Sequence, residues 1–550
     1  MSRRRPPPFG GLALGLVFFC LSLTPSLVPR SWLVQGAVTG VSATIGYALG
    51  VLGSHLTRQL LPREPRPPIK RAAWWALGVG GAAAALLAVV LAGNWQQQLH
   101  LVMGAEEPTQ PAYLAVLAVA AALLVVLVAL GRALRLAARA AGHRLRRFVP
   151  PRAAALTGAA LVALLVTTFT QEVLVRGMLG AADTSFQTID ETVGPDLEAP
   201  TSPMVSGGPG SLVAWESLGT QGRKFVDRTT GAEELDAVLA GIGGMEGMAE
   251  GTPPREPIRV YTGLETEEDV GRRAELAVAE LERTGAFDRA VLCVAAATGT
   301  GWVNPVAVAA LEHLHAGDTA TVSMQYSYLP SWLSFVADRE RASEAGAALF
   351  DAVHDRWSQL PADERPELVV YGESLGSYAA ESAFEGLADL RARTDGALLV
   401  GPPHFNPLRA ELTRTREPDS PQRRPVVAGG RTVRFAGVAD DLHRPDGPWE
   451  RPRVVYLQQA SDPVVWWSPR LAYREPDWLR EPRGDDVLRR MRWFPLVTFW
   501  QLSADLVHAD EVPPGHGHDY GTKVVDGWLA VTRPEGWDDA QVEQLRAHLG

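Results

Sequence analysis

The most informative stretch of the chain is Val369-Val370-Tyr371-Gly372-Glu373-Ser374-Leu375-Gly376-Ser377, which contains a Gly-x-Ser-x-Gly motif between an apolar strand-like run and a helical pattern. A serine on such a sharp strand-to-helix turn is exposed above the sheet, and the flanking glycines avoid clashes that side chains would cause. We therefore predict a nucleophile elbow with Ser374 as the nucleophile. The Leu375 amide, at the start of the helix, is the predicted oxyanion-hole donor. The alternative is a turn with no chemical role.

A serine hydroxyl is a weak nucleophile and needs a general base, which in turn needs an orienting acid. In the fold that carries this motif, the chain order is serine, acid, histidine. A second apolar strand, Val454–Gln458, is followed by a loop that contains Asp462 before Pro463. We predict that Asp462 is the acid. The alternative is an aspartate that only forms a turn before the proline.

Two histidines, His516 and His518, lie in the glycine-rich loop Val512–Gly521, which we place after a last strand at Leu496–Leu502. Either of them is a candidate base, and their spacing alone does not decide between them. We favour His518, because the glycines on both sides of His516 suit a hinge better than a base whose tautomer must be held by Asp462.

The same loop allows a metal interpretation. His508, Asp510, His516 and His518 lie within eleven residues, and a His-x-His pair can bind zinc. A zinc site would leave the serine motif and Asp462 without a role, so we expect neither a metal nor another cofactor. The two cysteines, Cys20 and Cys293, are far apart and form no CxxC pair, which excludes the usual thiol-rich metal sites.

A second oxyanion donor is expected in the loop after an earlier strand. The apolar run Ala290–Ala296 is followed by Thr298-Gly299-Thr300-Gly301-Trp302, whose glycines would let the backbone approach a substrate closely. Gly299 and Thr300 are the candidate donors. The alternative is a simple strand-to-helix turn.

Charge divides the chain into two parts. Residues 1–176 carry a formal charge of +13 and residues 177–550 carry −23, which together give the net −10. The acidic part argues against nucleic acid as a partner, because phosphates would be repelled.

The basic part contains five apolar stretches of about the ~20 residues that a helix needs to cross a bilayer. We predict a transmembrane domain at residues 1–176 with about five helices, which would contact membrane lipids. The first two stretches are rich in Gly, Ser and Thr, so a helical hairpin buried against the other three is the alternative for them. The five stretches are Phe9–Val28, Trp32–His55, Ala72–Trp95, Ala112–Leu130 and Ala153–Thr170.

Basic and non-basic loops alternate between these stretches. The N-terminus, the second loop and the fourth loop are rich in arginine, whereas the first loop has only Arg30 and the third has Glu106 and Glu107 without Lys or Arg. The positive-inside rule then places the arginine-rich loops in the cytoplasm. With an odd number of helices, the rest of the chain lies outside. We expect a multi-pass protein of the cell membrane with an extracytoplasmic soluble domain.

A Pro- and Gly-rich connector ends near Gly210, so we predict a linker at 177–210 and a soluble domain at 211–550. In that domain, short β-branched runs alternate with amphipathic helical patterns, which indicates a mainly parallel sheet with helices on both faces. The fold class that we expect is an α-helical transmembrane bundle followed by an α/β-hydrolase fold. Besides the strands named above, the predicted strands are Ile258–Thr262, Ala320–Tyr326, Leu368–Tyr371 and Gly396–Val400.

Taken together, these motifs resemble a family of bacterial α/β-hydrolase-fold membrane proteins with an N-terminal multi-spanning domain, α/β-hydrolase family 9. The resemblance covers nearly the whole chain. It implies the fold and an esterase-like activity but no defined substrate. It rests on the N-terminal helices, Ser211–Gly219 with Gly222–Val226, the elbow Gly372–Gly376, Ser461–Val464 with Trp466 and Trp467, and Pro514–His518.

We predict a serine hydrolase of the esterase or lipase type that uses Ser374, Asp462 and a histidine on lipid-like ester or thioester substrates at the outer face of the membrane. One alternative is an acyltransferase of the same fold. Another is a non-enzymatic transport or assembly component with a retained hydrolase fold, because fold alone does not establish function. Trp332, Trp466, Trp467, Trp493 and Trp500 could line an acyl pocket, and the alternative for them is the core.

Overall fold

The computed structural model describes residues 8–60, 67–105, 113–145, 147–148, 150–168, 197–242, 253–330, 333–335 and 338–550 of the chain. The chain forms two compact units. The N-terminal unit contains the helices up to residue 168 and also the segment Trp467–Pro513, which we name the insert. The sheet unit contains Ala181–Trp466 and Pro514–Gly550. The insert, which was predicted to belong to the soluble domain at 211–550, groups with the N-terminal helices, and the sheet unit begins within the predicted linker at 177–210.

Each of the predicted apolar stretches contains a helix within its described residues. The helix of the first stretch, Phe9–Val28, ends at Ser22, so its last six residues are not helical, and residues 169–170 of the last stretch lie outside the described residues. Within the described part of the chain, α2, α3 and α4 are long and apolar enough to cross a membrane, whereas α1 has only 14 residues. The helix α3 contains a π-helical turn at Ala76–Gly80. The helices are α1 (Phe9–Ser22), α2 (Trp32–Leu60), α3 (Pro67–Met103), α4 (Ala115–Leu145) and α5 (Pro151–Thr168).

Glycines let α2 pack closely on its neighbours. A methyl group added at Gly50 would lie 2.0 Å from the carbonyl oxygen of Gly10 in α1. One added at Gly36 would lie 2.6 Å from Cβ of Val119 in α4. Small residues at such crossings are typical of helices that pack within a membrane, where close backbone approach replaces the hydrophobic effect.

The sheet unit is built on seven parallel strands in the order β1-β3-β2-β4-β5-β7-β6. The connector before it joins the sheet edge at Val205, which forms a parallel bridge with Arg259. The strands are β1 (Ile258–Thr262), β2 (Val291–Ala296), β3 (Thr319–Met324), β4 (Glu367–Glu373), β5 (Gly396–Val400), β6 (Val433–Ala436) and β7 (Arg453–Leu457).

Helices cover both faces of the sheet, which explains why its strands are apolar on both sides. Along β4, Leu368 and Val370 pack into one core, while Val369 and Tyr371 pack into the other. The helices before the insert are α6 (Gly219–Asp227), α7 (Ala232–Gly241), α8 (Val270–Thr284), α9 (Pro305–Leu314), α10 (Arg339–Ser358), α11 (Leu375–Glu381), α12 (Leu387–Arg393), α13 (Pro407–Arg414) and α14 (Pro463–Trp466).

The insert contains α15 (Asp477–Arg480) and α16 (Val497–Asp505), and the sheet unit then closes with α17 (Lys523–Thr532) and α18 (Asp539–Leu549). The predicted strand at Leu496–Leu502 is wrong, because this segment is the first part of α16. Its buried residues, Val497, Thr498, Gln501, Leu502 and Asp505, recur with helical spacing rather than alternating.

The other six predicted strands are confirmed to within two residues at each end. The strand β6 was not predicted, because it has only four residues and includes the charged Arg434. The resulting sheet is the parallel, helix-covered sheet that the predicted fold class requires.

A buried ion pair joins the insert to the loop between α1 and α2. Nε of Arg30 lies 2.6 Å from Oδ1 of Asp505, and neither side chain is exposed. The backbone amide of Arg30 donates a 2.9 Å hydrogen bond to Oε1 of Gln96 in α3. The first loop, the C-terminal part of α3 and the insert therefore meet at the same end of the N-terminal helices.

Candidate active site

Ser374 occupies the turn between β4 and α11 with φ 55° and ψ −126°. A non-glycine residue in this region of backbone space is strained, and such strain persists only where the surroundings enforce it. Here the amide of Ser374 donates a 2.8 Å hydrogen bond to the carbonyl oxygen of Val400, and the Ser374 carbonyl accepts one from the Ser377 amide at 3.0 Å. The turn is the geometry that the serine motif predicts.

The two glycines of the motif are required by the packing of the turn. A methyl group added at Gly372 would lie 2.4 Å from the carbonyl oxygen of Gly376. One added at Gly376 would lie 2.4 Å from the carbonyl oxygen of Ala296, at the end of β2. The turn therefore sits directly against the end of the neighbouring strand.

Asp462 and His518 are in direct contact. Oδ2 of Asp462 lies 2.7 Å from Nδ1 of His518. Asp462 is fully buried, and its other carboxylate oxygen accepts a 2.8 Å hydrogen bond from the Val464 amide. This amide holds the carboxylate in place, so the imidazole orientation is set by a fixed acceptor.

Strand register brings these groups to one edge of the sheet. Glu373, Val400 and Leu457 are aligned across β4, β5 and β7, so the chain leaves all three strands at the same level. Ser374 follows the first of these residues and Gly401 follows the second. A methyl group added at Gly401 would lie 2.5 Å from Cε1 of His518. The imidazole therefore lies on the end of β5, the strand next to the one that carries Ser374.

Tyr520 is a site residue that was not predicted from the sequence. Its hydroxyl donates a 2.8 Å hydrogen bond to Oδ2 of Asp462 and accepts one from the Gln459 amide at 3.1 Å. Burial, together with the Asp462 carboxylate, raises the pKa of Tyr520 well above its ordinary value. The hydroxyl thus stays protonated and remains a donor to the acid.

His516 has a different environment in the same loop. It is half-buried and forms an antiparallel bridge with Asp519, while the amide of the next residue, Gly517, donates a 2.9 Å hydrogen bond to Oγ of Ser461. Among the residues that the structure describes, no group of three or more His, Cys, Asp or Glu side chains is arranged to hold a metal ion. His508 instead pairs with Glu511, with 2.7 Å between Nδ1 and Oε2.

The loop Thr298–Trp302, which carries the candidate oxyanion donors Gly299 and Thr300, is held by side chains from β1 and from the residues after β3. The Gly299 amide donates a 2.8 Å hydrogen bond to the Tyr326 hydroxyl, and the Thr300 carbonyl accepts one from Nε2 of Gln325 at 3.0 Å. The Tyr261 hydroxyl donates to the Gly301 carbonyl at 2.8 Å. The Gly299 amide is thus already engaged, whereas Leu375 begins α11, where helix geometry leaves the first amides without an intrahelical acceptor.

Glu373, the residue between the elbow glycine and Ser374, links the turn to α9. Its Oε2 accepts hydrogen bonds of 2.7 Å from Nδ2 of Asn304 and of 2.7 Å from the Tyr371 hydroxyl. Asn304 in turn caps α9, because its Oδ1 accepts from the Val306 amide at 2.9 Å. No motif in the sequence pointed to this contact, which depends on two strands being adjacent.

The tryptophans considered for an acyl pocket are scattered. Trp466 is buried in α14, where its Nε1 donates a 2.8 Å hydrogen bond to the Gln459 carbonyl. Trp467, Trp493 and Trp500 belong to the insert, and Trp332 lies outside the described residues. Trp466 is therefore a core residue of the sheet unit.

Comparison with known proteins identifies the family of the chain. No curated protein and no solved structure shows significant similarity to the chain. Two family models do match: that of the alpha/beta-hydrolase family N-terminus over residues 23–229, and that of the alpha/beta-hydrolase family over residues 258–545, more than half of the chain. On this match and on its parallel sheet, the chain belongs to the alpha/beta-hydrolase family.

Proposed function

We propose that the protein is a membrane-anchored serine hydrolase with Ser374 as nucleophile, His518 as general base and Asp462 as the orienting acid. The observation that carries this proposal is the position of His518. Its Nδ1 faces Asp462 at 2.7 Å, and its ring lies on Gly401, directly after the residue whose carbonyl binds the Ser374 amide. Nucleophile, acid and base of an acyl-transfer site are expected in this order along the chain and at this edge of the sheet.

The reaction follows from these positions. With Nδ1 hydrogen-bonded to the Asp462 carboxylate, the neutral imidazole carries its proton on Nδ1 and leaves Nε2 as the base. Ser374 Oγ attacks the ester carbonyl carbon while its proton passes to Nε2. The tetrahedral oxyanion receives a hydrogen bond from the Leu375 amide. The carbon–oxygen bond to the alcohol then breaks, and His518 returns the proton to the leaving oxygen. Water repeats the sequence and releases the acid from the acyl-serine.

The proposed substrate is a lipid-like ester or thioester at the outer face of the membrane. Three described helices are suited to cross a bilayer, which would keep the site near lipid. The contact of Arg30 with Asp505 supports the outer side. It joins the insert to the first loop, whose charge pattern is that of a non-cytoplasmic loop.

Labelling with a fluorophosphonate probe tests the nucleophile, because the probe reacts with activated serines. We expect labelling of the full-length protein in detergent and none of Ser374→Ala. Ser382→Ala is the matched control, since its hydroxyl donates only to the Tyr378 carbonyl at the end of the same helix. Absence of labelling in folded wild-type protein, or equal labelling of Ser374→Ala, would contradict the proposal and favour a non-enzymatic role.

A further inference from the structure

The helix α16 of the insert has polar side chains on its buried face and a large apolar side chain on its exposed face. The buried face carries the polar Thr498, Gln501 and Asp505 beside the apolar Val497 and Leu502, and all five side chains are fully shielded. Trp500, on the opposite side, is 38% exposed, and Val507, in the 3-10 turn Leu506–His508 that directly follows α16, is 68% exposed. An amphipathic helix on a soluble protein places its apolar stripe inside and its polar residues outside.

The buried polar side chains of α16 find hydrogen-bonding partners at the end of α1 and in the first loop. Oδ1 of Asp505 binds Nε of Arg30 at 2.6 Å, and Oδ2 accepts from the Ser26 hydroxyl and from the Leu27 amide. Nε2 of Gln501 donates to the carbonyl of Ser22, at the end of α1, at 3.1 Å. Carbonyls at the end of a helix have no intrahelical donor, so these contacts supply partners that water would otherwise provide.

The exposed apolar face of α16 continues the surface of the candidate membrane-spanning helices. Trp32 and Leu33, in the first turn of α2, are 39% and 55% exposed. Leu101, near the end of α3, is 64% exposed. These residues and α16 belong to the same end of the helices, since Arg30 contacts both Gln96 and Asp505. Tryptophan at the end of a spanning helix is typical of the membrane–water interface.

We propose that α16 lies in the interfacial layer of the bilayer, with Trp500 and Val507 in contact with lipid. The hydrogen bonds and the ion pair that join Gln501 and Asp505 to α1 and the first loop hold the helix at that depth. A helix with one apolar face binds in this way without crossing the membrane.

This placement also indicates the class of substrate, an inference that rests on the proposed function. The insert begins five residues after Asp462 and ends five residues before His518. The loops that carry the proposed acid and base are therefore the two ends of a lipid-bound segment. Such an enzyme takes its substrate from the lipid phase, so its substrates are esters with acyl chains that reside in a membrane.

Fluorescence in proteoliposomes tests the lipid contact without requiring activity. In a Cys20→Ala background, Trp500→Cys carries an environment-sensitive NBD label, and Arg492→Cys, an exposed charged position of the same insert, serves as the control. We expect blue-shifted emission at position 500 and several-fold stronger quenching by nitroxide-labelled phosphatidylcholine than at position 492. Water-like, unquenched emission at position 500 would overturn the proposal. If the emission at position 500 depends on the protein density in the membrane and not on the quencher, the face contacts a second copy of the chain. That result would also overturn the proposal.

Kinetics test the consequence for the substrate. Val507→Glu should lower the turnover of a long-chain ester in phosphatidylcholine vesicles about tenfold or more. It should leave the hydrolysis of p-nitrophenyl acetate, a water-soluble ester, unchanged. Arg492→Glu is the control and should change neither rate. Equal rates of Val507→Glu and wild type on vesicles would refute delivery from lipid. If the wild-type protein hydrolyses neither ester, the proposed function is wrong but the quenching result still holds. Failure of the proposed function can therefore be distinguished from failure of the proposed lipid contact.

Discussion

The hydroxyl of Tyr520 donates a 2.8 Å hydrogen bond to Oδ2 of Asp462, the same carboxylate oxygen that faces Nδ1 of His518 at 2.7 Å. The imidazole and the phenol thus share one acceptor inside a fully buried cluster. A carboxylate oxygen held from two directions has little freedom to rotate away from the histidine. Tyr520 is therefore a positioning residue for the proposed triad.

Tyr520→Phe should lower kcat/KM for a p-nitrophenyl ester about 10- to 100-fold, because one hydrogen bond to a buried carboxylate is lost, worth about 1.5–3 kcal/mol. Tyr456→Phe is the matched control: Tyr456 lies on β7 of the same sheet, and its hydroxyl donates at 2.9 Å to the buried carboxylate of Glu381, the last residue of α11. Both variants should show similar losses of thermal stability, and only Tyr520→Phe should lose activity. Equal activity losses in the two variants would reduce Tyr520 to a purely structural role.

The two histidines of the glycine-rich loop should differ strongly. His518→Ala should lose at least as much kcat/KM as Asp462→Asn, by roughly 10⁴-fold, because a triad acts as a unit. His516→Ala should retain activity within about tenfold of wild type, since the structure pairs the Asp462 carboxylate with His518. Steady-state kinetics on one ester decides this. Near-complete loss in both variants, restored by added zinc, would revive the metal interpretation.

Gly401 offers a test of the position of the imidazole. Gly401→Ala places a methyl group 2.5 Å from Cε1 of His518, at a residue with φ +54°. Displacing a catalytic group by about 1 Å costs about 100-fold in rate, so we expect at least that loss. Gly429→Ala is the control, because Gly429 has φ +65° and open space around it.

Both glycine substitutions carry a similar backbone strain of about 1–2 kcal/mol. Gly401→Ala adds the close contact with His518, so its thermal stability should fall by more than that of Gly429→Ala. Fluorophosphonate labelling rates of the folded variants then report the effect on the site. Unchanged labelling of Gly401→Ala would show that His518 is not the base for Ser374.

Reporter fusions test the side of the membrane. Alkaline phosphatase fused after Gly550 should be active, and a cytoplasmic fluorescent reporter at the same position should be dark, because the positive-inside rule places the sheet unit outside. A fusion after Leu145, in the arginine-rich fourth loop, should give the opposite pattern. An inactive phosphatase with a bright fluorescent reporter after Gly550 would reverse the topology.

The elbow could be recognised from the sequence because its determinants are local. Gly372, Ser374 and Gly376 lie within one turn of chain, and both the strand before them and the helix after them have strong periodic patterns. The family and the parallel sheet follow from the same kind of signal repeated along the chain. A short strand such as β6 carries too little periodicity to be found in this way.

The segment Leu496–Leu502 shows where local pattern is misleading. Read as a buried strand, it is apolar enough, but it folds as the first part of the helix α16, whose polar residues Gln501 and Asp505 find partners on α1 and the first loop. Those partners lie more than 470 residues away along the chain. A pattern based on neighbouring residues cannot contain them.

The sequence by itself determined which residue types could do the chemistry, since a serine between glycines, an aspartate after a strand and a histidine loop are local features in a defined order. It also determined that the N-terminal part is apolar and basic. Only the tertiary structure decided that Asp462 faces His518, that Tyr520 shares its carboxylate, and that the insert groups with the N-terminal helices. The physical reason is that hydrogen bonds and buried ion pairs depend on distances of about 3 Å between groups that are far apart in sequence, and only the packed chain defines those distances.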